Sequence, residues 1–152
     1  MLTVTPFLWF EREAEEAMNF YASVFPRSRI VSINRFQGQV MGVEFELEGQ
    51  RFMGLNGRTG FTFNDAVSFF VGCETQQEID DLWDKLTADG GSPGRCGWLK
   101  DKFGVSWQIV PKALGRLMAG DGDPARSKRV VDAFMQMSKF DIERLQRAFD
   151  GA

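Results

Sequence analysis

The sequence predicts an α+β fold made of two similar strand–helix–strands halves followed by a helical extension. Three observations predict it. An apolar, β-forming segment leads into an acidic-fronted amphipathic helix over residues 3–25, and the same order restarts over residues 66–87. The segments GQRFMGL (49–55) and GVSWQIV (104–110) match in pattern: each is a Gly-led turn before a strand whose fourth residue is aromatic, Phe52 or Trp107. After Pro111 the spacing of apolar residues becomes helical.

Thr3 to Phe10 is rich in β-formers and reads as the first strand. Ala14, Ala17, Met18 and Tyr21 then follow the i, i+3, i+4, i+7 rule of a helix with one apolar face. The acidic residues from Glu11 to Glu16 sit where the helix dipole favours them, and Pro26 ends the helix. Arg29 to Phe36 alternates loosely. Val43, Phe45 and Leu47 alternate with Glu44, Glu46 and Glu48, the pattern of a strand with one wet face. Gly49-Gln50 turns the chain into a strand over Arg51 to Asn56, and the Gly-, Thr- and Asn-rich stretch 57–65 reads as a connecting loop.

The second half opens with AVSFFV (66–71) as a strand. Thr75-x-x-Glu78 is a capping box in front of a helix carrying Ile79, Leu82, Trp83 and Leu86. Gly90-Gly91 stops that helix. Arg95 to Leu99 and Val105 to Val110 form a hairpin around Asp101-Lys102-Phe103-Gly104, with residues 88–94 supplying an irregular further strand. In the extension, Lys112 to Met118 is a short helix, GDGDP (120–124) a loop, and Val130 to Met137 a helix. Ser138-x-x-Asp141 caps a last one bearing Ile142, Leu145 and Phe149. Its apolar stripe predicts packing on its own sheet or on a second subunit.

The 152 residues fit one domain: module one 1–57, module two 64–111 and a helical tail 112–152. A net charge of −3 with no basic stripe argues against nucleic acid and anionic membranes. No apolar run approaches the roughly 20 residues of a membrane span, and the N-terminus has no basic n-region, so a cytoplasmic protein is the expectation. Cys73 and Cys96 read as reduced thiols, since nothing points to an oxidising compartment. With no histidine in the chain, neither cysteine has the usual base for catalysis.

The segments FLWFEREAEEAMNFY, GQRFMGLNG, FTFNDAVSFFVGC and especially CGWLKDKFGVSWQIVP resemble the PhnB-like proteins, also labelled demethylubiquinone-methyltransferase-like. These belong to the glyoxalase/bleomycin-resistance/dioxygenase group, the vicinal-oxygen-chelate superfamily. The tail RVVDAFMQMSKFDIERLQRAFDG is similar to the family's as well. The resemblance implies paired βαβββ modules whose curved sheets close around a cavity, and a homodimer. In metal-dependent members, His, Glu or Gln ligands project from the first and last strand of each module. Carried onto this chain, those positions fall near Thr5, Met53, Ala66 and Gln108. Only Gln108 is a plausible donor, and one neutral amide cannot hold a divalent ion. No catalytic metal and no cofactor are therefore expected.

Side chains two apart share a strand face. With Gln108 in the cavity, Ser106 joins it, while Trp107 and Ile109 point under the helices. Thr5, Phe7 and Trp9 line one wall, Ser68 and Phe70 another, with Met53 opposite. That aromatic cup suits a small-molecule ligand. Gln108 either orients a ligand or is satisfied within the sheet; Trp9 either stacks on a ligand or fills core. Asn56 reads as a turn residue, Trp98 as packing, Asp101 to Gly104 as a tight hairpin. Glu44, Glu46 and Glu48 read as a charged outer face, because like charges in a cup would be costly. Gly54-x-x-Gly57-x-x-Gly60 precedes a loop, not a helix, and does not match a dinucleotide-binding turn. The sulfonium-cofactor fold of common methyltransferases is thus not expected. Three functions stay open: a metal-independent binding protein, an atypical lyase, isomerase or dioxygenase of the superfamily, and a structural or regulatory dimer.

Overall fold

In the computed structural model, which describes residues 1–57 and 60–152, the chain divides into two compact units, 1–62 and 63–152. The expected connecting loop 57–65 includes Arg58 and Thr59, which lie outside the described residues.

Unit one contains β1 (Phe7–Phe10), α1 (Ala14–Val24), β2 (Ser28–Phe36), β3 (Gln39–Leu47) and β4 (Gln50–Asn56), with the sheet in the order β1-β4-β3-β2. β1 runs parallel to β4, and the other neighbours are antiparallel. The first strand is shorter than expected. Pairing begins where the Met53 N–H donates to the Pro6 carbonyl, and residues 1–4 are exposed. The apolar stripe of α1, Ala14, Ala17, Met18, Tyr21 and Val24, is buried against one sheet face. There Tyr21 stacks on Phe45, and Phe45 on Phe52 at 5.4 Å between centroids. The β3–β4 turn is Glu48-Gly49, both with positive φ (48° and 87°), as a tight hairpin requires.

Asn56 is a correction. It is not a turn residue but the last residue of β4. Its Oδ1 accepts the Ala14 N–H at 2.9 Å and its Nδ2 donates to the Val40 carbonyl at 3.1 Å. One side chain thus satisfies an orphan donor of the first helical turn and ties α1 to β3.

Unit two repeats the topology. β5 (Ser68–Cys73), α2 (Gln76–Thr87), β6 (Ser92–Pro93), β7 (Trp98–Lys100) and β8 (Ser106–Pro111) give the sheet order β5-β8-β7-β6, with β5 parallel to β8. The weak repeat in sequence is therefore a repeat in strand order. β5 starts two residues later than the AVSFFV pattern suggests, because β8 supplies its partners only from Ser68 onward. The capping box at Thr75 and Glu78 forms, and Ile79, Leu82, Trp83 and Leu86 are buried. Residues 88–94 do supply an irregular strand, reduced to Ser92–Pro93.

The tail forms α3 (Leu114–Ala119), α4 (Pro124–Phe134) and α5 (Ile142–Asp150). It packs on its own unit. The Cys96 and Gly97 N–H groups donate to the Met137 and Ser138 carbonyls, at 2.9 and 2.8 Å. Gln76 clamps the same stretch from the start of α2: its Nε2 donates to the Phe140 carbonyl and its Oε1 accepts the Ile142 N–H. The cap of α5 is Asp141, whose Oδ1 accepts the Arg144 N–H, and not Ser138. The Ser138 hydroxyl donates to the Gly94 carbonyl instead.

The cysteines have different surroundings. Cys73 is buried, and desolvation pushes its thiol up to about 11, with Glu78 adding to the shift. Cys96 is partly exposed, with its thiol 3.6 Å from the Phe134 carbonyl. A disulfide-exchange thiol reagent at pH 8 should therefore modify native Cys96 well before Cys73, both reacting once the chain is unfolded. Equal native rates, followed by peptide mass analysis, would contradict this placement.

Candidate functional site

Each sheet has one face under helices and one left open. In unit one the register sets the open face. Phe7 lies beside Met53, Met53 beside Glu44, and Glu44 beside Ser32. The next row is Trp9, Leu55, Gly42 and Asn34. Phe7, Trp9 and Met53 are 54%, 38% and 37% exposed, whereas Leu8, Phe10 and Phe52 on the helix-facing side are buried. Phe61 lies against Trp9 with ring centroids 5.4 Å apart. Phe7, Trp9 and Met53 thus share one open face, and Met53, expected opposite Phe7, is its direct neighbour. Thr5 precedes β1, and the strand residue beside Met53 is Phe7.

The glutamates overturn an expectation. Glu44 and Glu46 share the open face with Met53, because Glu44 pairs with Met53 and Glu46 with Arg51. The like charges are offset by arginines. Arg51 meets Glu44 at 2.6 Å and Glu46 at 3.6 Å, and Arg29 meets Glu46 at 3.0 Å. Arg51 and Arg29 were missed as site residues. The available signal was Arg51, two residues before Met53 and hence on its face. Glu48 alone leaves this ladder, sitting in the turn and pairing with Arg27 at 2.9 Å.

In unit two the open face carries the row Phe70, Gln108, Trp98 across β5, β8 and β7. The adjacent row is Ser68, Ser106, Lys100. The four predicted residues Ser68, Phe70, Ser106 and Gln108 therefore share a face. Trp107 and Ile109 are buried on the other side, as their parity requires. Trp98, expected to be packing, is half-buried and stands beside Gln108. Gln108 Nε2 donates to Ser68 Oγ at 2.9 Å. Ser106 Oγ donates to Asp65 Oδ1 at 2.7 Å, and Lys100 Nζ lies 3.3 Å from the same oxygen. The Ser106 hydrogen bond, then Lys100, holds the Asp65 carboxyl below the usual carboxylate range. Lys100 was readable from parity with Trp98; Asp65 lies outside the strand and carried no signal.

The donor sets do not fit the metal that the resemblance implies for its metal-dependent members. Ala66 lies ahead of β5, and the residues that register places beside the last strands are Phe7 with Met53 and Phe70 with Gln108. The unit-one pair, a phenyl ring and a thioether, offers a divalent cation no oxygen, and the unit-two pair, a phenyl ring and one amide, offers a single one. Among the described residues, no three His, Cys, Asp or Glu side chains cluster to hold a metal. A separate groove of about 630 Å³ lies in unit one, lined by Glu11, Glu15, Phe36, Met41 and Asn56 among others, and by none of the eight predicted residues.

Comparison with known proteins places the chain. The family model for 3-demethylubiquinone-9 3-methyltransferase matches residues 2–110. The resemblance read in the tail lies outside those residues. A solved Bacillus cereus structure, a putative 3-demethylubiquinone-9 3-methyltransferase described as a PhnB protein, is 42% identical with a TM-score of 0.68. The match covers 72% of this chain and 99% of that one. A fosfomycin resistance protein from Mesorhizobium loti shares the fold at 13% identity and TM-score 0.53, covering 72% of this chain and 92% of its own. A glyoxalase/bleomycin resistance/dioxygenase domain from Frankia does so at 11% and 0.51, over 73% and 92%. No curated protein matches the sequence. Among the described residues, no helix is long and apolar enough to cross a membrane. With two four-stranded sheets of one topology, a fold it shares with glyoxalase/bleomycin resistance proteins, and a family match over most of its length, the chain belongs to the PhnB-like, 3-demethylubiquinone-9 3-methyltransferase family.

Proposed function

We propose that the protein binds an apolar or aromatic small molecule on its open sheet faces, without a catalytic metal. One observation carries this reading. Phe7, Trp9, Met53 and Phe70 keep 37–64% of their surface exposed at strand positions where burial was available on the opposite face. Each large apolar side chain left in water forgoes about 1.5–3 kcal/mol of burial, which a ligand can recover. The partner is then a small molecule, with no nucleic acid or membrane. A homodimer and a cytoplasmic location, expected from the sequence, belong to the same proposal.

The test is thermal unfolding of metal-stripped protein with naphthalene and with Mn²⁺, Ni²⁺ and Zn²⁺. The expected result is a rise in Tm with naphthalene, approaching about 2.7 kcal/mol of stabilisation at a hundredfold excess over Kd. Trp9→Ala and Phe70→Ala should each weaken that binding. Stabilisation by micromolar metal would overturn the metal-free part, and no response to naphthalene would overturn the binding part.

The family description favours a second reading, methyl transfer. Common methyltransferases hold their sulfonium cofactor at a Gly-rich turn leading from a parallel strand into a helix. Here Gly54 lies inside β4, and parallel pairing is confined to one pair in each sheet. An isomerase or lyase chemistry would need a base, and the carboxylates on the two faces are already engaged: Glu44 by Arg51, Glu46 by Arg29 and Arg51, and Asp65 by Ser106 and Lys100. These arrangements support binding over either chemistry.

A further inference from the structure

We infer that the open face of unit two selects a flat, uncharged ring carrying adjacent N–H and C=O groups, the edge of a lactam or imide. The inference rests on the small-molecule reading above and names the ligand class for the face of unit two.

The row Phe70, Gln108, Trp98 puts one amide between two aromatic side chains on neighbouring strands. Strand spacing sets each ring about 4.8 Å to one side of the amide at the backbone. A small fused ring lying between them touches both while its edge meets Gln108. Phe70 is 64% exposed, so its ring surface is available for that contact. Gln108 gives one amide N–H to Ser68 Oγ at 2.9 Å. Its Oε1 and second N–H have no partner among the described residues. A primary amide offers that donor and acceptor side by side, so the complement is an acceptor beside a donor.

Charge points the same way. Lys100 and Asp65 face each other at 3.3 Å, and Ser106 closes the pair with its hydroxyl on the same carboxylate oxygen. No unpaired charge remains in the row beside the amide. A charged ligand would be desolvated there without a counter-charge, whereas a neutral one meets hydrogen-bonding partners. Discrimination then comes from the amide: a ligand that lacks the donor leaves Gln108 Oε1 unpaired against it.

The experiment compares three probes of similar size by isothermal titration: 2-quinolone, N-methyl-2-quinolone, which has lost the donor, and naphthalene, which has no polar edge. Wild-type protein should bind 2-quinolone at least about tenfold more tightly than either of the others, a difference of about 1.4 kcal/mol. Gln108→Met should abolish that preference, so that 2-quinolone and N-methyl-2-quinolone bind the variant alike. In ¹⁵N-labelled wild-type protein, the Gln108 side-chain amide protons should move downfield, as newly hydrogen-bonded N–H groups do, with 2-quinolone and not with naphthalene, a readout that needs no variant. Equal binding of all three probes by the wild type would overturn this inference and leave the small-molecule reading standing. Failure of all three to bind would overturn both.

Discussion

Asp101→Asn is expected to lower the free energy of unfolding by about 3 kcal/mol, and Asp101→Ala by at least about 4. Asp101 is 2% exposed and its carboxylate is the hub of the β7–β8 hairpin. Oδ1 accepts the backbone N–H groups of Phe103 and Val105 at 2.9 and 3.1 Å, and Oδ2 accepts the Trp107 indole N–H at 2.9 Å. Asparagine has nearly the same shape and keeps one oxygen for the backbone pair. Its NH₂ then faces the indole N–H, so two donors meet in a buried place with no acceptor between them. Each buried donor left unmade costs about 1–3 kcal/mol, and the bonds lost are charge-assisted. Alanine removes this acceptor from all three donors. Against a total stability of about 5–15 kcal/mol, either change is severe. Lys102→Ala, in the same turn, should stay within about 0.5 kcal/mol. Urea unfolding and the near-ultraviolet dichroism of Trp107 check this. A loss below about 1 kcal/mol for Asp101→Asn would show that the hairpin does not depend on the carboxylate.

That carboxylate also marks what could be read from sequence. The hairpin itself was legible, since Asp101 to Gly104 is a turn signal and Gly104 takes a φ of 88°. The reach of Asp101 to Trp107 was not, because it depends on where a side chain six residues away stands after the turn closes. Elsewhere the same division holds. The stripes of α1 and α2 and the capping box at Thr75 are local patterns, and they form as written. The first residues of β1 and β5 depend on which partner residues are within reach, and both strands start later than their composition suggests. Ser138 and Asp141 are both good caps. Asp141 takes the role, and the Ser138 hydroxyl donates to the Gly94 carbonyl.

The candidate site divides in a similar way. Alternation says which residues of one strand share a face, and it correctly grouped Ser68 with Phe70, Ser106 with Gln108, and Phe7 with Trp9. It does not say which face a neighbouring strand presents to them. That is a matter of register, and a slip of one residue inverts it. Reading Glu44 and Met53 onto opposite faces was such an inversion; they are direct partners. Repulsion between like charges does not decide the face when cations share it. Arg29 and Arg51 sit on that face and pair with both glutamates, so the carboxylates need not avoid it. The missing histidine keeps its meaning. Beside the last strands stand Phe7 and Phe70, which makes the metal donor set poorer than Thr5 and Ala66 would have made it.

Gly97→Ala should cost about 3 kcal/mol or more and loosen the tail selectively. Gly97 has a φ of 83°, where an L side chain is strained by about 1–2 kcal/mol. A Cβ there would stand 2.8 Å from the Ile109 carbonyl oxygen and press into the edge of the Phe140 ring. Neither neighbour yields easily. Ile109 is held in β8, its N–H donating to the Gly97 carbonyl at 2.8 Å, and Phe140 is 1% exposed. Moving the ring pulls on the segment that Gln76 clamps at Phe140 and Ile142 and that Cys96 and Gly97 hold at Met137 and Ser138. The damage should therefore appear first as faster tryptic cleavage within residues 112–152. Gly115→Ala is the contrasting change: nothing lies within 4 Å of its added Cβ, and in α3 it should stabilise by about 0.5–1 kcal/mol. If the ring is the obstacle, Gly97→Ala combined with Phe140→Leu should lose less than the two single changes together. Strict additivity would assign the cost to the backbone alone, and wild-type stability for Gly97→Ala would remove the premise that Phe140 is seated against a bare glycine.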